Sequence, residues 1–225
     1  MSEKQNTVLQ EHDNWPAFPV PWDDNLPGPT DMSWLLHKPA GAKGFIRVVD
    51  GHLATGDGQR WRIWGQNITG KSPLPPMHMA ETIARRLAKF GLNCIRLHHC
   101  DHRWPDGILI RRSDGQPAPG IIVNGVAGRD EESTRALDPE AMARLDWFIA
   151  CCKKHGVYID LNLNVSRPFS KADGVKQVEW IGFGKGMTYF DERLIQLQKE
   201  YAQQLLEHVN PFTGLRYADE PAIAI

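Results

Sequence analysis

The run Arg96-Leu97-His98-His99-Cys100-Asp101-His102 is the densest gathering of chemically able side chains in this sequence. It reads as the end of a strand passing into a loop. Alternate residues of a strand face opposite sides, so Cys94, Arg96 and His98 share one face while Ile95 and Leu97 share the other. The apolar pair suits packing under helices, which leaves Arg96 in the interior. A guanidinium there must have partners, because an unpaired buried charge is costly. Either a core ion pair supplies them, or Arg96 serves a site at the strand mouth beside the histidines. His, Cys and Asp are also metal ligands. Consecutive residues leaving a strand diverge, however, and no His-x-His or helical His-x-x-x-His supports them, so no metal centre is expected.

Asp160, Asn162 and Asn164 form a second alternating set, with Leu161 and Leu163 on the opposite face. Three inward polar residues are many for a packed core. They make either a satisfied polar network or contacts to a polyhydroxylated ligand, since sugars are held by amides and carboxylates together with aromatic platforms. Trp104 and Trp180 lie in long loops and could be such platforms, or plugs over the core. Gly182-Phe183-Gly184-Lys185-Gly186 follows no strand closely and lacks a Gly-Lys-Ser/Thr ending, which argues against phosphate binding. No Gly-x-Ser-x-Gly elbow is present. No cofactor is called for.

These residues need elements to position them. A polar arm rich in Pro and Trp precedes about residue 43. Phe45-Ile46-Arg47-Val48-Val49, the Asp50-Gly51 turn and the Gly56-Asp57-Gly58 turn suggest a small antiparallel ribbon, which Trp61-Arg62-Ile63-Trp64 continues into a buried strand ending near Asn67. A helix near Met79 to Phe90 carries Ala80, Ile83, Ala84, Leu87 and Ala88 at helical spacing, with Gly91 at its C-cap. Asn93 to His98 is the second strand. Asp138 and Pro139 open the next helix as N-cap and first helical residue, and it closes at Lys153-Lys154-His155-Gly156. Val157 to Asn164 is the third strand, about Asp191 to Val209 the third helix, and Pro221 to Ile225 starts a fourth strand.

Strand alternating with helix predicts an α/β fold with a parallel sheet, either open or closed as a barrel. The helix-to-strand links are very short and the strand-to-helix links long. The elaboration therefore gathers at the carboxyl ends of the strands, where such folds place their chemistry.

Bulk composition narrows the partners. With 26 Lys and Arg against 27 Asp and Glu in 225 residues, the net charge of -1 lacks the basic footprint of a nucleic-acid binder. No run of about 18 apolar residues suggests a membrane span. The four cysteines match neither a disulfide framework nor a zinc ribbon, and the polar N-terminus has no secretory signal, so a reducing, cytoplasmic setting is the expectation.

Three stretches resemble the opening half of a clan A glycoside hydrolase of the cellulase-like family 5 group. They are Trp61-Arg62-Ile63-Trp64-Gly65-Gln66-Asn67, Arg85 to His99 with its Gly-Leu-Asn-x-Ile-Arg-Leu-His-His core, and Tyr158-Ile159-Asp160-Leu161-Asn162-Leu163. The resemblance covers about Gly44 to Ile225. It implies the N-terminal half of a (β/α)₈ TIM barrel, preceded by the short β-ribbon and the irregular arm: an arm over residues 1–43, then a truncated catalytic domain over 44–225. Such enzymes retain anomeric configuration, using two glutamates about 5–5.5 Å apart, one after the fourth strand and one after the seventh.

On that resemblance, Arg96 is the arginine that orients the nucleophile, His99 a histidine lining the substrate subsite, and Asn67 a polar residue at the first strand's mouth. The family's Asp-x-His reads Asp160-Leu161-Asn162 here, with an amide in place of imidazole. The Asn-Glu after the fourth strand would lie beyond Ile225, so neither catalytic glutamate falls within the chain and the chain alone is expected to be inactive. The expected substrate-binding set is Asn67, Arg96, His98, His99, Trp104, Asp160, Asn162 and Asn164. The missing half of the barrel would be needed to close the fold, since three strand–helix units and a fourth strand fall short of eight. Two other readings are open: a carbohydrate-binding fragment without catalysis, and a metal-dependent barrel hydrolase using the His98 to His102 cluster.

Overall fold

A computed structural model describes residues 21–24, 26–70, 72–102, 133–181 and 184–225. Strands β1 (Arg47–Val49) and β2 (His52–Ala54) pair antiparallel. Their two-residue turn puts Asp50 at φ 49° and Gly51 at φ 74°, the positive-φ pair that suits the twist of a tight hairpin. There follow β3 (Gly65–Ile68), α1 (Met77–Lys89), β4 (Cys94–Leu97), α2 (Pro139–Lys154), β5 (Tyr158–Leu161), α3 (Val178–Ile181) and α4 (Glu192–Glu207). β3, β4 and β5 form a parallel sheet in that order. Ile223 bridges Ile159 in parallel, and Leu161 N–H donates to Ile225 C=O at 2.8 Å, so the last residues lie along the free edge of β5.

Local chemistry explains the abrupt helix-to-strand joins. At the end of α1 the Gly91 N–H donates to Ala88 C=O and the Leu92 N–H to Leu87 C=O, a Schellman pair with Gly91 at φ 71°. α2 ends in the same way through Gly156 (φ 83°) and Val157, which donate to Lys153 and Cys152. At its start the Asp138 carboxylate accepts the Glu140 and Ala141 N–H groups at 2.9 and 3.0 Å. Asn93 then ties β4 to the approach of β3: its Oδ1 accepts from Trp64 N–H and its Nδ2 donates to Arg62 C=O.

The segment ahead of the hairpin runs across the amino ends of the strands. Met32 N–H donates to Lys89 C=O and Ala40 N–H to Lys153 C=O, so it caps carbonyls at both helix ends. Asp24 pairs there with Lys89 at 2.7 Å and Arg86 at 3.3 Å.

The core lies on the outer face of the sheet. Ile95, Leu97, Ile159 and Leu161 meet Ala84 and Leu87 of α1, Leu145, Phe148 and Ile149 of α2, and Tyr201 and Leu205 of α4. On the inner face, at the amino ends, Cys94 and Tyr158 pack with Trp61, Ala40 and Ala222. The Trp61 and Tyr158 ring centroids are 5.0 Å apart. All four cysteines are buried free thiols, and burial pushes those of Cys94 and Cys151 up to about 12.

Candidate functional site

Strand register builds the site. Asn67, Arg96 and Asp160 are mutual partners across β3, β4 and β5, so they form one row on the inner face. Gly65, Cys94 and Tyr158 form the row nearer the amino ends. Two residues beyond Arg96 and Asp160 stand His98 and Asn162, at the carboxyl ends.

Arg96 Nε donates to Asn162 Oδ1 at 2.6 Å and Arg96 Nη2 to His98 Nδ1 at 2.9 Å. Guanidinium can only donate, so His98 Nδ1 is an acceptor and the Asn162 atom facing Arg96 is its carbonyl oxygen. Burial raises the Asp160 carboxyl above its ordinary range, against the pull of Arg96 and His98. Arg96 itself is exposed, contrary to the interior position expected from its strand. The strand alternation holds, since Ile95 and Leu97 are in the core. What differs is that the inner face opens onto solvent, with no facing wall among the described residues.

An open cleft of about 350 Å³ runs along this row, lined by Trp64, Gln66, Asn67, Cys94, Arg96 and Asp160. Trp64 and Gln66 were not foreseen there. The stretch from Trp61 to Trp64, read as entering a buried strand, divides: Trp61 is 6% exposed and Trp64 67%. Apolar character alone could not separate an aromatic plug from an aromatic cleft wall. Only the offset of three residues between the two tryptophans hinted at it.

His99 sits at φ 70°, in the left-handed region, as the chain turns out of β4. Gly70 N–H donates to its Nδ1 at 3.3 Å, and its ring meets His98 edge-on at 4.2 Å. Burial, then the positive fields of His98, His102, Lys185 and Arg96, lower its pKa below the usual imidazole value. Asn164 is exposed, and its amide donates to Thr188 Oγ1 at 3.2 Å. Trp180 is 83% exposed on α3 and is not among the residues that line this cleft. Trp104 lies outside the described residues.

The remainder of the histidine run disperses. Cys100 is buried, with its thiol 3.9 Å from Leu97 C=O. The buried Asp101 carboxylate accepts Val165 N–H at 2.6 Å and Ser166 N–H at 3.1 Å. His102 Nδ1 lies 3.1 Å from Ser166 C=O. Asp101 and His102 thus staple the loop after β4 to the loop after β5. Among the described residues, no group of three or more His, Cys, Asp or Glu could hold a metal ion.

A second support escaped the sequence reading. Arg167 is fully buried and donates to Leu197 C=O at 2.7 Å and to Thr134 C=O at 3.1 Å, with its guanidinium 5.2 Å from the Phe169 ring centroid. Asp173 holds Thr134 through N–H and hydroxyl, at 2.8 and 2.6 Å. These residues lock the loop after β5 onto α4 and the approach to α2. The Ser170 and Asp173 capping box was the available signal.

No family model matches the sequence, and no curated relative matches it. Solved structures do match its fold. An endo-1,4-β-mannanase from Rhizomucor miehei aligns at a TM-score of 0.52 and 18% identity, over 80% of this chain and 46% of that one. A mutant of a glycoside hydrolase family 5 mannosidase from Rhizomucor miehei aligns at 0.52 and 14% identity, over 80% and 47%. Another mutant of a family 5 mannosidase from that organism, in complex with mannosyl-fructose, aligns at 0.51 and 14%, over 80% and 46%. The chain spans about half the length of these structures. Its parallel strands and covering helices are the architecture that it shares with family 5 glycoside hydrolases.

Proposed function

We propose that this chain is the N-terminal half of the catalytic barrel of a glycoside hydrolase family 5 enzyme, acting on β-linked poly- or oligosaccharide. One arrangement carries the reading. Asn67, Arg96 and Asp160 lie in register across three parallel strands, and Asn162 and His98 hold Arg96 at the carboxyl ends, beside an open cleft. The mannan-type, β-1,4-linked substrate named for one fold neighbour makes mannan the first candidate.

In this proposal the chain supplies binding and orientation. Asn67 and Asp160 offer an amide and a carboxyl to sugar hydroxyls, and Trp64 an aromatic wall. Arg96, with Nε and Nη2 already engaged, keeps its remaining N–H groups to steady a carboxylate. A retaining mechanism needs two carboxyl groups flanking the glycosidic bond, one as nucleophile and one as acid and then base. Strands β3, β4 and β5 and the edge residues 221–225 carry one carboxyl on this face, that of Asp160. Glu220, at the amino end, is buried against Lys153 at 2.9 Å and is not available for the task. Both glutamates would come from chain beyond Ile225.

The purified chain is therefore expected to bind manno-oligosaccharide without cleaving it. Titration with β-1,4-mannotetraose, followed by backbone NMR, is expected to shift signals around Asn67, Arg96 and Asp160. No shift there would overturn the saccharide cleft. Turnover of an aryl β-mannoside above background would overturn the inactivity.

A further inference from the structure

Two acceptors aim Arg96, and one of them depends on a proton. Arg96 Nε donates to Asn162 Oδ1 at 2.6 Å and Arg96 Nη2 to His98 Nδ1 at 2.9 Å. A guanidinium has donors alone, so the second bond exists only while His98 Nδ1 keeps its lone pair. A neutral ring with its proton on Nε2 meets that need, whereas the imidazolium carries a proton on each nitrogen.

The geometry also holds a place for that extra proton. His98 Nδ1 lies 3.3 Å from Asn162 Oδ1, the same oxygen that holds Arg96 Nε. With the ring neutral, both atoms accept and share the guanidinium between them. A proton taken from solvent onto Nδ1 makes it a donor, which competes with Arg96 Nε for the Asn162 oxygen. The same proton turns an N–H towards Arg96 Nη2–H and sets one positive charge against another. Arg96 then loses one acceptor and must contend for the other.

Titratable groups bracket the ring on both strands. Arg96 and His99 flank it on its own segment, the His99 ring meeting it edge-on at 4.2 Å. From β5 comes Asp160, the register partner of Arg96, whose carboxyl feels the His98 charge. The fields of His102 and Lys185 fall on His99. Asp160 favours the imidazolium, and Arg96 and the other cations oppose it.

We infer that His98 is a positioning residue: as the neutral imidazole it holds Arg96 in the direction that steadies a carboxylate, and on protonation it takes the Asn162 oxygen and releases Arg96. The inference rests on the role proposed above for Arg96 and adds the proton that governs it.

The test is NMR on the 225-residue chain between about pH 8 and about pH 5, the span over which imidazoles change charge. Long-range ¹H–¹⁵N spectra are expected to show the His98 proton on Nε2 at the upper end and protons on both nitrogens at the lower. Over the same titration the protection of Arg96 Nε–H against exchange, taken relative to free arginine at each pH, is expected to fall about fivefold, the worth of one lost hydrogen bond. His98→Asn places a non-titrating amide oxygen where Nδ1 stands and is expected to keep the protection throughout, while His98→Ala is expected to lack it throughout. Protection that stays constant while His98 titrates overturns the inference, and so does a ring that stays neutral to the acid end or holds its proton on Nδ1 at the upper end. An equal fall in His98→Asn assigns the change to another group and overturns it too. None of these readouts uses a saccharide, so a failed mannotetraose titration overturns the cleft and leaves the His98 switch standing.

Discussion

Asn162 at the end of β5 accepts a hydrogen bond from Arg96 Nε of β4 at 2.6 Å, so an amide on one strand sets the direction of a guanidinium on its neighbour. The same oxygen is 3.3 Å from His98 Nδ1. Asn162→Ala frees Arg96 without uncovering the core. It is expected to weaken mannotetraose binding several-fold, while stability changes by less than about 1 kcal/mol because Arg96 is exposed. Calorimetric titration alongside urea unfolding checks the split. A large loss of stability with unchanged binding would assign Asn162 a structural role instead.

Asp101 is the opposite case. It is buried, and its carboxylate satisfies two backbone N–H groups of the loop after β5. Asp101→Ala leaves those donors unpaired in the interior and is expected to cost about 1–3 kcal/mol for each one stranded. Hydrogen exchange should show Val165 and Ser166 losing protection ahead of the sheet.

Glu81 links the two outer helices, pairing with His155 at 2.7 Å and Lys154 at 2.8 Å. Burial raises its pKa, yet hydrogen bonds from Lys154 and His155 outweigh that and bring it down to about 2. A carboxyl with a depressed folded-state pKa stabilises above its unfolded value and loses that contribution as pH falls. Stability should therefore decline between about pH 4.5 and pH 2, and decline less in Glu81→Gln. Identical acid profiles for the two proteins would count against the pair.

Gly156 combines a backbone need with a steric one. At φ 83°, an added Cβ would lie 2.7 Å from His37 C=O in the segment that covers the helix ends. Gly156→Ala is expected to cost about 1–2 kcal/mol in left-handed strain, with the clash in addition. Thermal unfolding measures it, and a Tm unchanged from the parent would contradict the close approach.

Much of the fold is legible in the sequence because its signals are local. Asp138 and Pro139 begin α2, Gly91 and Gly156 end their helices, and the alternation around Ile95 and Leu97 marks the buried face, each through contacts within a few residues. The alternating residues Asp160 and Asn162 could likewise be placed on one strand face. Which of these groups meet is a different matter.

The sequence by itself determined the order of strands and helices, the faces of the strands, and the crowding of polar residues at their carboxyl ends. Tertiary structure alone decided that Asn162 reaches Arg96 across 66 residues, that Asp101 and His102 turn away into a staple, and that Trp64 walls a cleft while Trp61 fills the core. The reason is range. Caps and periodicity depend on neighbours within a turn or two. The site depends on the register between strands that separate segments of chain bring together, and on which side of the sheet is left open to solvent.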